Sequence, residues 1–308
     1  MTRGNASDPG AVYVAMKFAP TLALGASLLT AGCTITVDSH SEIAREEKRF
    51  TVSGRGDVRV ATFDGSIDIQ SWDKPDIVIE IEKRGPTKEA IDGLQVVSGQ
   101  KGNLIELEVK APREESFSGI GLHRTAYARL IVRVPRETDV RASSGDGSIV
   151  VERIAGRIDL RTGDGSIRAA DLSGEITLDT GDGSITVDDV EGRVTVDTGD
   201  GSVNVSGRVT GLKLHTGDGS VVLRAQPGTV MEEPWEITTG DGGVSLFLPP
   251  DFSADLDAHT GDGTIRNDLS VEKAGEEASR RTLRGRIGKG GQTLRVRTGD
   301  GSIRLKGN

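Results

Sequence analysis

Eight aspartates occupy the same place in a repeated tripeptide, and they are the side chains of this sequence best suited to chemistry. Each stands between two glycines, and a serine or threonine precedes every copy. Five copies follow at intervals of eighteen residues, with Asp146, Asp164, Asp182, Asp200 and Asp218, and wider intervals separate Asp241, Asp262 and Asp300. Carboxylates stacked about 5 Å apart repel by about 3–4 kcal/mol at an effective dielectric near 20. We therefore expect them to face solvent, to accept backbone N–H hydrogen bonds in their turns, or to bind cations.

Calcium is the cation that oxygen-rich turns of this kind suit, and its ligands would be Asp146, Asp164, Asp182, Asp200 and Asp218. Calcium-binding nonapeptide rolls, however, carry glycine and aspartate in both turns of an eighteen-residue coil. Here the second turn varies: Arg153-Ile-Ala-Gly156, Asp171-Leu-Ser-Gly174 and Asp189-Val-Glu-Gly192. The sequence favours a structural turn in which the carboxylate accepts a local N–H bond. Calcium is the alternative, and no other cofactor is predicted.

The remaining reactive side chains form no catalytic pattern. The four histidines are scattered, and the sequence contains no zinc-ligand spacing, nucleophile elbow or phosphate loop. The sequence therefore predicts no catalytic residues and a protein that is not an enzyme. A polysaccharide-acting β-helix enzyme is the alternative, and it would need aromatic platforms. Only two tryptophans and two tyrosines are present, so the test is whether Trp72, Trp235 or the charged positions of adjacent coils converge in one groove.

The only cysteine, Cys33, ends a stretch typical of bacterial export. Met16-Lys17 precedes a short apolar stretch without charge, and Leu29-Thr-Ala-Gly-Cys33 resembles a lipobox. Residues 1–32 are predicted to be a signal peptide, with residues 1–15 an extension upstream of the true start. Cys33 is predicted to carry the lipid, palmitate included, and residues 33–47 to form a polar tether. Thr34 follows Cys33, where an aspartate would signal retention in the inner membrane, so the outer membrane is the preferred location in the cell envelope.

The charge of the chain limits its partners. The net charge is −9, and removing residues 1–32 with Arg3, Lys17 and Asp8 leaves −10. Nucleic acid needs a concentrated basic face, so it is not an expected partner. The expected partners are the membrane, through the lipid at Cys33, and an envelope protein or polysaccharide.

The eighteen-residue interval predicts the fold. In the unit from Gly163 to Thr180, Ile167 and Ala169 alternate with polar residues, and Ile176 and Leu178 do so after a turn. Such a unit cannot bury its own apolar face, but stacked copies can. The sequence predicts an all-β protein, a β-solenoid (β-helix) with eighteen-residue two-strand coils. An antiparallel meander closed into a sandwich or barrel is the alternative.

The regularity changes along the chain. Residues 48–140 carry a degenerate version of the pattern and are predicted to form opening coils and an N-terminal cap. Residues 141–308 are predicted to form the regular repeats, with an insertion near 270–292 that breaks the pattern as a loop or short helix.

Residues 48–306 resemble a bacterial family of tandem β-strand repeats, named as adhesins and long classed as a domain of unknown function. The resemblance rests on the Thr-Gly-Asp-Gly-Ser-Ile unit, on Val132-Arg-Val-Pro135 and Leu246-Phe-Leu-Pro249, and on Leu283-Arg-Gly-Arg-Ile-Gly-Lys-Gly-Gly291. It implies a β-helix of the cell envelope that serves as an adhesin or as a structural or binding scaffold.

Overall fold

The computed structural model describes residues 42–111, 126–273 and 279–308, and strands dominate throughout. Cys33 and the predicted signal peptide lie outside these residues, so their placement is not described. The prediction of an all-β protein is confirmed.

Twenty-two strands form one sheet, and the one helix among the described residues is short. The first elements are β1 Glu42–Thr51, β2 Gly56–Thr62, β3 Ile67–Trp72, β4 Asp76–Gly85, α1 Lys88–Asp92, β5 Gln95–Lys101, β6 Leu104–Lys110, β7 Tyr127–Pro135, β8 Thr138–Ser144, β9 Ile149–Glu152 and β10 Ala155–Thr162. The others are β11 Ile167–Thr180, β12 Ile185–Thr198, β13 Val203–Thr216, β14 Val221–Ala225, β15 Trp235–Thr239, β16 Val244–Leu248, β17 Ala254–Thr260, β18 Ile265–Asn267, β19 Val271–Lys273, β20 Thr282–Ile287, β21 Thr293–Thr298 and β22 Ile303–Gly307.

Neighbouring repeats pair in parallel and in matching register. Ile167 of β11 lies opposite Ile185 of β12, which lies opposite Val203 of β13. The pairing is therefore between equivalent positions, eighteen residues apart in the chain. An antiparallel meander would pair neighbouring repeats in the opposite sense, so that alternative is wrong, and the repeat fold is β-solenoid-like.

The sheet consists of two rows of paired strands, which we call the A row and the B row. The long strands β11, β12 and β13 connect the rows, because the first half of each lies in the B row and the second half in the A row. The A row contains, in order, β5, β6, β2, β8, β10, the second halves of β11 to β13, β15, β21, β17, β20 and β19. The B row contains β1, β4, β7, β3, β9, the first halves of β11 to β13, β14, β16, β22 and β18.

Alternate residues of both rows build one hydrophobic core. In β11 the side chains of Ile167, Ala169, Ile176 and Leu178 are buried, as the two-residue period predicts. The equivalent aliphatic residues of the other repeats join them in a single cluster. Since an aromatic fraction of 3% leaves few large rings, this core depends on stacked isoleucine, valine and leucine.

The repeats do not stack in chain order at either end. Strands β2 and β3 lie between β6–β7 and β8–β9. At the other end, β21 and β22 lie between β15–β16 and β17–β18, which precede them in the chain. Each end of the array is thus interleaved by a repeat that comes from elsewhere in the chain.

Antiparallel strands occupy both ends of the A row and the N-terminal end of the B row. At the C-terminal end of the A row, β20 pairs antiparallel with β17, and β19 with β20. The expectation of a loop or short helix near 270–292 is therefore wrong for residues 271–273 and 282–287. These strands contain glycine and charged residues, so their sequence does not alternate clearly between apolar and polar residues.

The first strand also corrects a sequence-based boundary. Residues 42–47, expected in the polar tether, belong to β1, which pairs antiparallel with β4 at the edge of the B row. No residue of β1 is fully buried, and two of its half-buried positions hold Glu46 and Lys48, so the strand shows no run of alternating apolar residues. Its pairing is supported by ion pairs, with Arg45 Nη2 2.8 Å from Glu82 and Lys83 Nζ 2.7 Å from Glu46.

Candidate functional surface

The residue before each Gly-Asp-Gly is buried and hydrogen-bonded. The set comprises Ser144, Thr162, Thr180, Thr198, Thr216, Thr239, Thr260 and Thr298. The hydroxyl of Thr180 lies 3.1 Å from the carbonyl oxygen of Gly163 and 2.9 Å from that of Gly165, both in the preceding repeat. The hydroxyl of Thr216 also accepts the N–H of Gly219, at 3.2 Å. These hydroxyls therefore satisfy the polar groups of the turn and join one repeat to the next.

The aspartates between the glycines, in contrast, are exposed to solvent and do not hydrogen-bond to the described backbone of their turns. Asp146, Asp164, Asp182, Asp200 and Asp218 are exposed, and within the described part of the chain none of their carboxylates accepts a backbone N–H bond. The predicted turn, in which the aspartate caps its own backbone, is therefore wrong. The buried serine or threonine before the tripeptide accepts the backbone N–H bond of the turn instead.

Close backbone stacking places the carboxylates outside the turn. The N–H of Gly199 donates to the carbonyl oxygen of Gly181 at 2.5 Å, and successive turns repeat this contact. Within the described ranges, no group of three or more histidine, cysteine, aspartate or glutamate side chains is arranged to hold a metal ion. The turn aspartates form a line of solvated negative charge.

We expect Asp182→Asn to change the free energy of unfolding by less than about 0.5 kcal/mol, because Asp182 is exposed and makes no hydrogen bond within the described residues. Any change should be stabilising at low salt, because one charge leaves a line of like charges. Thermal melts of both proteins, with chelator and with millimolar calcium, measure it.

Matched magnesium is the control for that experiment. A rise in Tm with calcium well beyond the rise with magnesium, lost in Asp182→Asn, would show that the turns bind calcium.

The two tryptophans do not meet in a groove. Trp235 of β15 is fully buried, and its ring packs 5.3 Å from that of Phe252 between centroids. Trp72 ends β3, several repeats away, with Lys74 Nζ 4.9 Å from its ring centroid. The two rings therefore offer no shared platform for a sugar chain.

The outward side of the A row carries charges that largely pair with each other. Asp159 lies between Arg141 and Arg161, with a nitrogen–oxygen distance of 3.3 Å to each. Arg157 and Glu175 pair at 3.1 Å beside a shallow groove of about 470 Å³ that is also lined by Arg55 and Asp139. Arg55 and Asp139 are themselves 3.7 Å apart. Most arginines on this side of the described chain therefore pair with a carboxylate, whereas Lys213 forms no salt bridge with a described residue.

Asp257 in β17 is the centre of another such group. Burial alone would raise its pKa, but hydrogen bonds and positive charge from Arg297 and Arg284 hold the pKa below its ordinary value. Arg297 belongs to β21 and Arg284 to β20, so the carboxylate joins three neighbouring strands of the A row.

At its C-terminal end, the outward side of the B row carries cations without carboxylate partners among the described residues, unlike most of the arginines of the A row. A surface that we call the basic face comprises Arg224 of β14, Phe247 of β16, Arg304 and Lys306 of β22, and Arg266 of β18. Sequence reasoning missed it because the strands are neighbours in the sheet but not in the chain. The available signal was an arginine directly after the first apolar residue of the repeat, as in Ile265-Arg266 and Ile303-Arg304.

A family model described as Toastrack DUF4097 matches residues 57–306. This range contains the repeats of both rows.

Three solved structures resemble the chain at low sequence identity. A "putative cell adhesion protein" from Clostridium sporogenes has 15% identity and a TM-score of 0.30, covering 87% of this chain and 100% of that one. A "putative lipid binding protein" from Parabacteroides distasonis has 13% identity and a TM-score of 0.46, covering 85% and 96%. A "putative adhesin" from Bacteroides fragilis has 12% identity and a TM-score of 0.38, covering 86% and 97%.

No curated protein matches the sequence significantly. Over the described ranges, the chain has no helix with the length and apolar character needed to cross a membrane.

Proposed function

Since the chain belongs to the Toastrack DUF4097 family, we propose that it is a non-enzymatic binding scaffold, lipid-anchored in the cell envelope through Cys33. The observation that carries the proposal is one continuous core beneath a 22-stranded sheet, whose outward residues are solvated charges. A rigid sheet of this kind presents an extended surface to a partner. The partner is an envelope protein or polysaccharide, and the outer membrane is the proposed location.

The eighteen-residue repeat is the unit of this scaffold. We propose that each unit is one two-strand coil of a β-solenoid, with its buried threonine at one turn and the variable turn at the other. The register of Ile167, Ile185 and Val203 supports this assignment, because it places equivalent residues of successive units side by side.

We expect Cys33→Ala to abolish lipid attachment, because Cys33 supplies the only thiol in the chain. Labelled palmitate should enter the wild-type protein and not the variant. The variant should leave the membrane fraction as a soluble or unprocessed protein, since no acyl chains anchor it.

The conservative variant Cys33→Ser keeps the size of the side chain and removes only the thiol, so it should lose the label as well. Labelling of either variant would contradict the proposed anchor.

A further inference from the structure

The basic face brings together four exposed cations that make no salt bridge within the described ranges: Arg224, Arg266, Arg304 and Lys306. The register places Arg224 beside Phe247, Phe247 beside Lys306, and Arg304 beside Arg266. Adjacent strands of a sheet lie about 4.8 Å apart, so these four strands span about 14 Å.

This grouping is unfavourable for the fold by itself. Arg266 and Arg304 are directly opposite each other on neighbouring strands, and like charges so placed repel. Asp268 lies at the edge of this surface, because its N–H donates to the carbonyl oxygen of Leu305 at 2.9 Å, next to Lys306. It forms no salt bridge with any described residue, and one carboxylate cannot balance four cations. The A row, by contrast, places a carboxylate beside most of its arginines. In a chain of net charge −9, an uncompensated basic surface calls for an anionic partner.

Phe247 gives the surface a second chemical property. Its ring is half-buried, and the guanidinium carbon of Arg224 lies 4.7 Å from the ring centroid. Lys306 lies on the other side of Phe247 in the register, so the ring has a cation beside it in each direction across the sheet. The C–H groups of a sugar ring can pack against the exposed part of an aromatic ring, while guanidinium groups bind carboxylates in a bidentate geometry.

We propose that the basic face binds an acidic polysaccharide, a chain of sugars that carries carboxylates and crosses β14, β16, β22 and β18. This inference rests on the proposed scaffold function and names the class of its partner. The four cations are spread over a flat surface, so a polymer can contact all of them at once. The line of turn aspartates and the net negative charge disfavour nucleic acid, whose charge is denser.

The test uses affinity electrophoresis of the detergent-solubilised full chain through gels that contain polygalacturonate, with neutral dextran as the uncharged probe. The variant Arg266→Gln/Arg304→Gln/Lys306→Gln removes three charges from exposed positions. The matched control, Lys101→Gln/Lys213→Gln/Lys289→Gln, removes three exposed cations that also make no salt bridge in the described part of the chain.

We expect polygalacturonate to retard the wild type, with dextran having no effect. The basic-face variant should bind on the order of tenfold more weakly or worse, because it loses most of the charge contacts. The control variant should stay within about twofold of the wild type, because its cations lie elsewhere. Added salt should weaken the wild-type interaction.

Three results would overturn the proposal: no retardation by polygalacturonate, an equal loss in both triple variants, or binding to phosphatidylglycerol vesicles in place of the polysaccharide. Lipid attachment is scored separately by palmitate labelling. A chain that is acylated but ignores the polymer would refute this inference alone.

Discussion

Replacing Gly183 by alanine is expected to destabilise the protein by about 4 kcal/mol or more. A Cβ atom at this position would lie 2.0 Å from the carbonyl oxygen of Gly165 and 2.6 Å from its carbon. Both atoms belong to the backbone of the preceding repeat, so no side chain can rotate away. The hydroxyl of Thr180 lies 2.8 Å from the same point. The turns would have to separate, and the hydrogen bonds of Thr180 to the preceding repeat would break. Urea unfolding followed by circular dichroism measures the loss.

Gly243 supplies the matched control. It follows its Gly-Asp-Gly where most copies have serine, and a Cβ added there would have the carbonyl oxygen of Ser302 as its closest neighbour, at 3.5 Å. That distance is ordinary van der Waals contact. Gly243→Ser should therefore be neutral or stabilising by about 0.4–1 kcal/mol, because it reduces the freedom of the unfolded chain. If Gly183→Ala cost no more than Gly243→Ser, the close stacking of the turns would not be what fixes these glycines.

The second large effect is expected at Trp235, where alanine should cost about 3–5 kcal/mol. The side chain is fully buried in β15, in register with Leu212 on one side and Leu294 on the other. Its ring also packs against Phe252. Truncation removes these contacts and leaves a cavity between repeats that rigid backbone ladders cannot close. The thermal unfolding of wild type and variant, followed by circular dichroism, gives the difference.

Phenylalanine at the same position separates ring packing from the indole nitrogen. The Nε1 of Trp235 is buried and has no hydrogen-bond partner within the described residues. Trp235→Phe removes that unsatisfied donor and keeps an aromatic ring, so its cost should stay below about 1.5 kcal/mol. Equal losses in the alanine and phenylalanine variants would mean that the shape of the indole, rather than filled volume, determines stability here.

The sequence predicted the parts of the fold that depend on a local period. Ile167 and Ile176 alternate with polar residues, and the same spacing recurs every eighteen residues, so their burial and parallel register follow from the pattern. The charged strand β1 could not be predicted from such a pattern, because its pairing depends on β4 and on ion pairs such as Arg45 with Glu82. An edge strand of mainly polar residues shows no alternation between apolar and polar residues that a sequence argument could use.

The candidate surface was less predictable than the fold. Each turn contains both a threonine and an aspartate, and either side chain can accept a backbone N–H bond. The choice between them depends on which one the neighbouring repeat buries, as with Thr180 and exposed Asp182. The basic face depends on Arg266 and Arg304 being neighbours, and an argument that stacks repeats in chain order does not place them together.

The interleaved repeat at the C-terminal end has a consequence for how the molecule is made. Strands β17 to β20 leave the ribosome before β21 and β22, and β20 can pair with β17 and β19 at once. However, β17 and β18 cannot join the array until β21 and β22 lie between them and β15–β16. Until then, β15 and β16 have open hydrogen-bonding edges that invite pairing with another chain. Completion of this end must therefore wait for the synthesis of its last segment. A nascent chain stalled before β21 would lack the middle of this end rather than its last repeat.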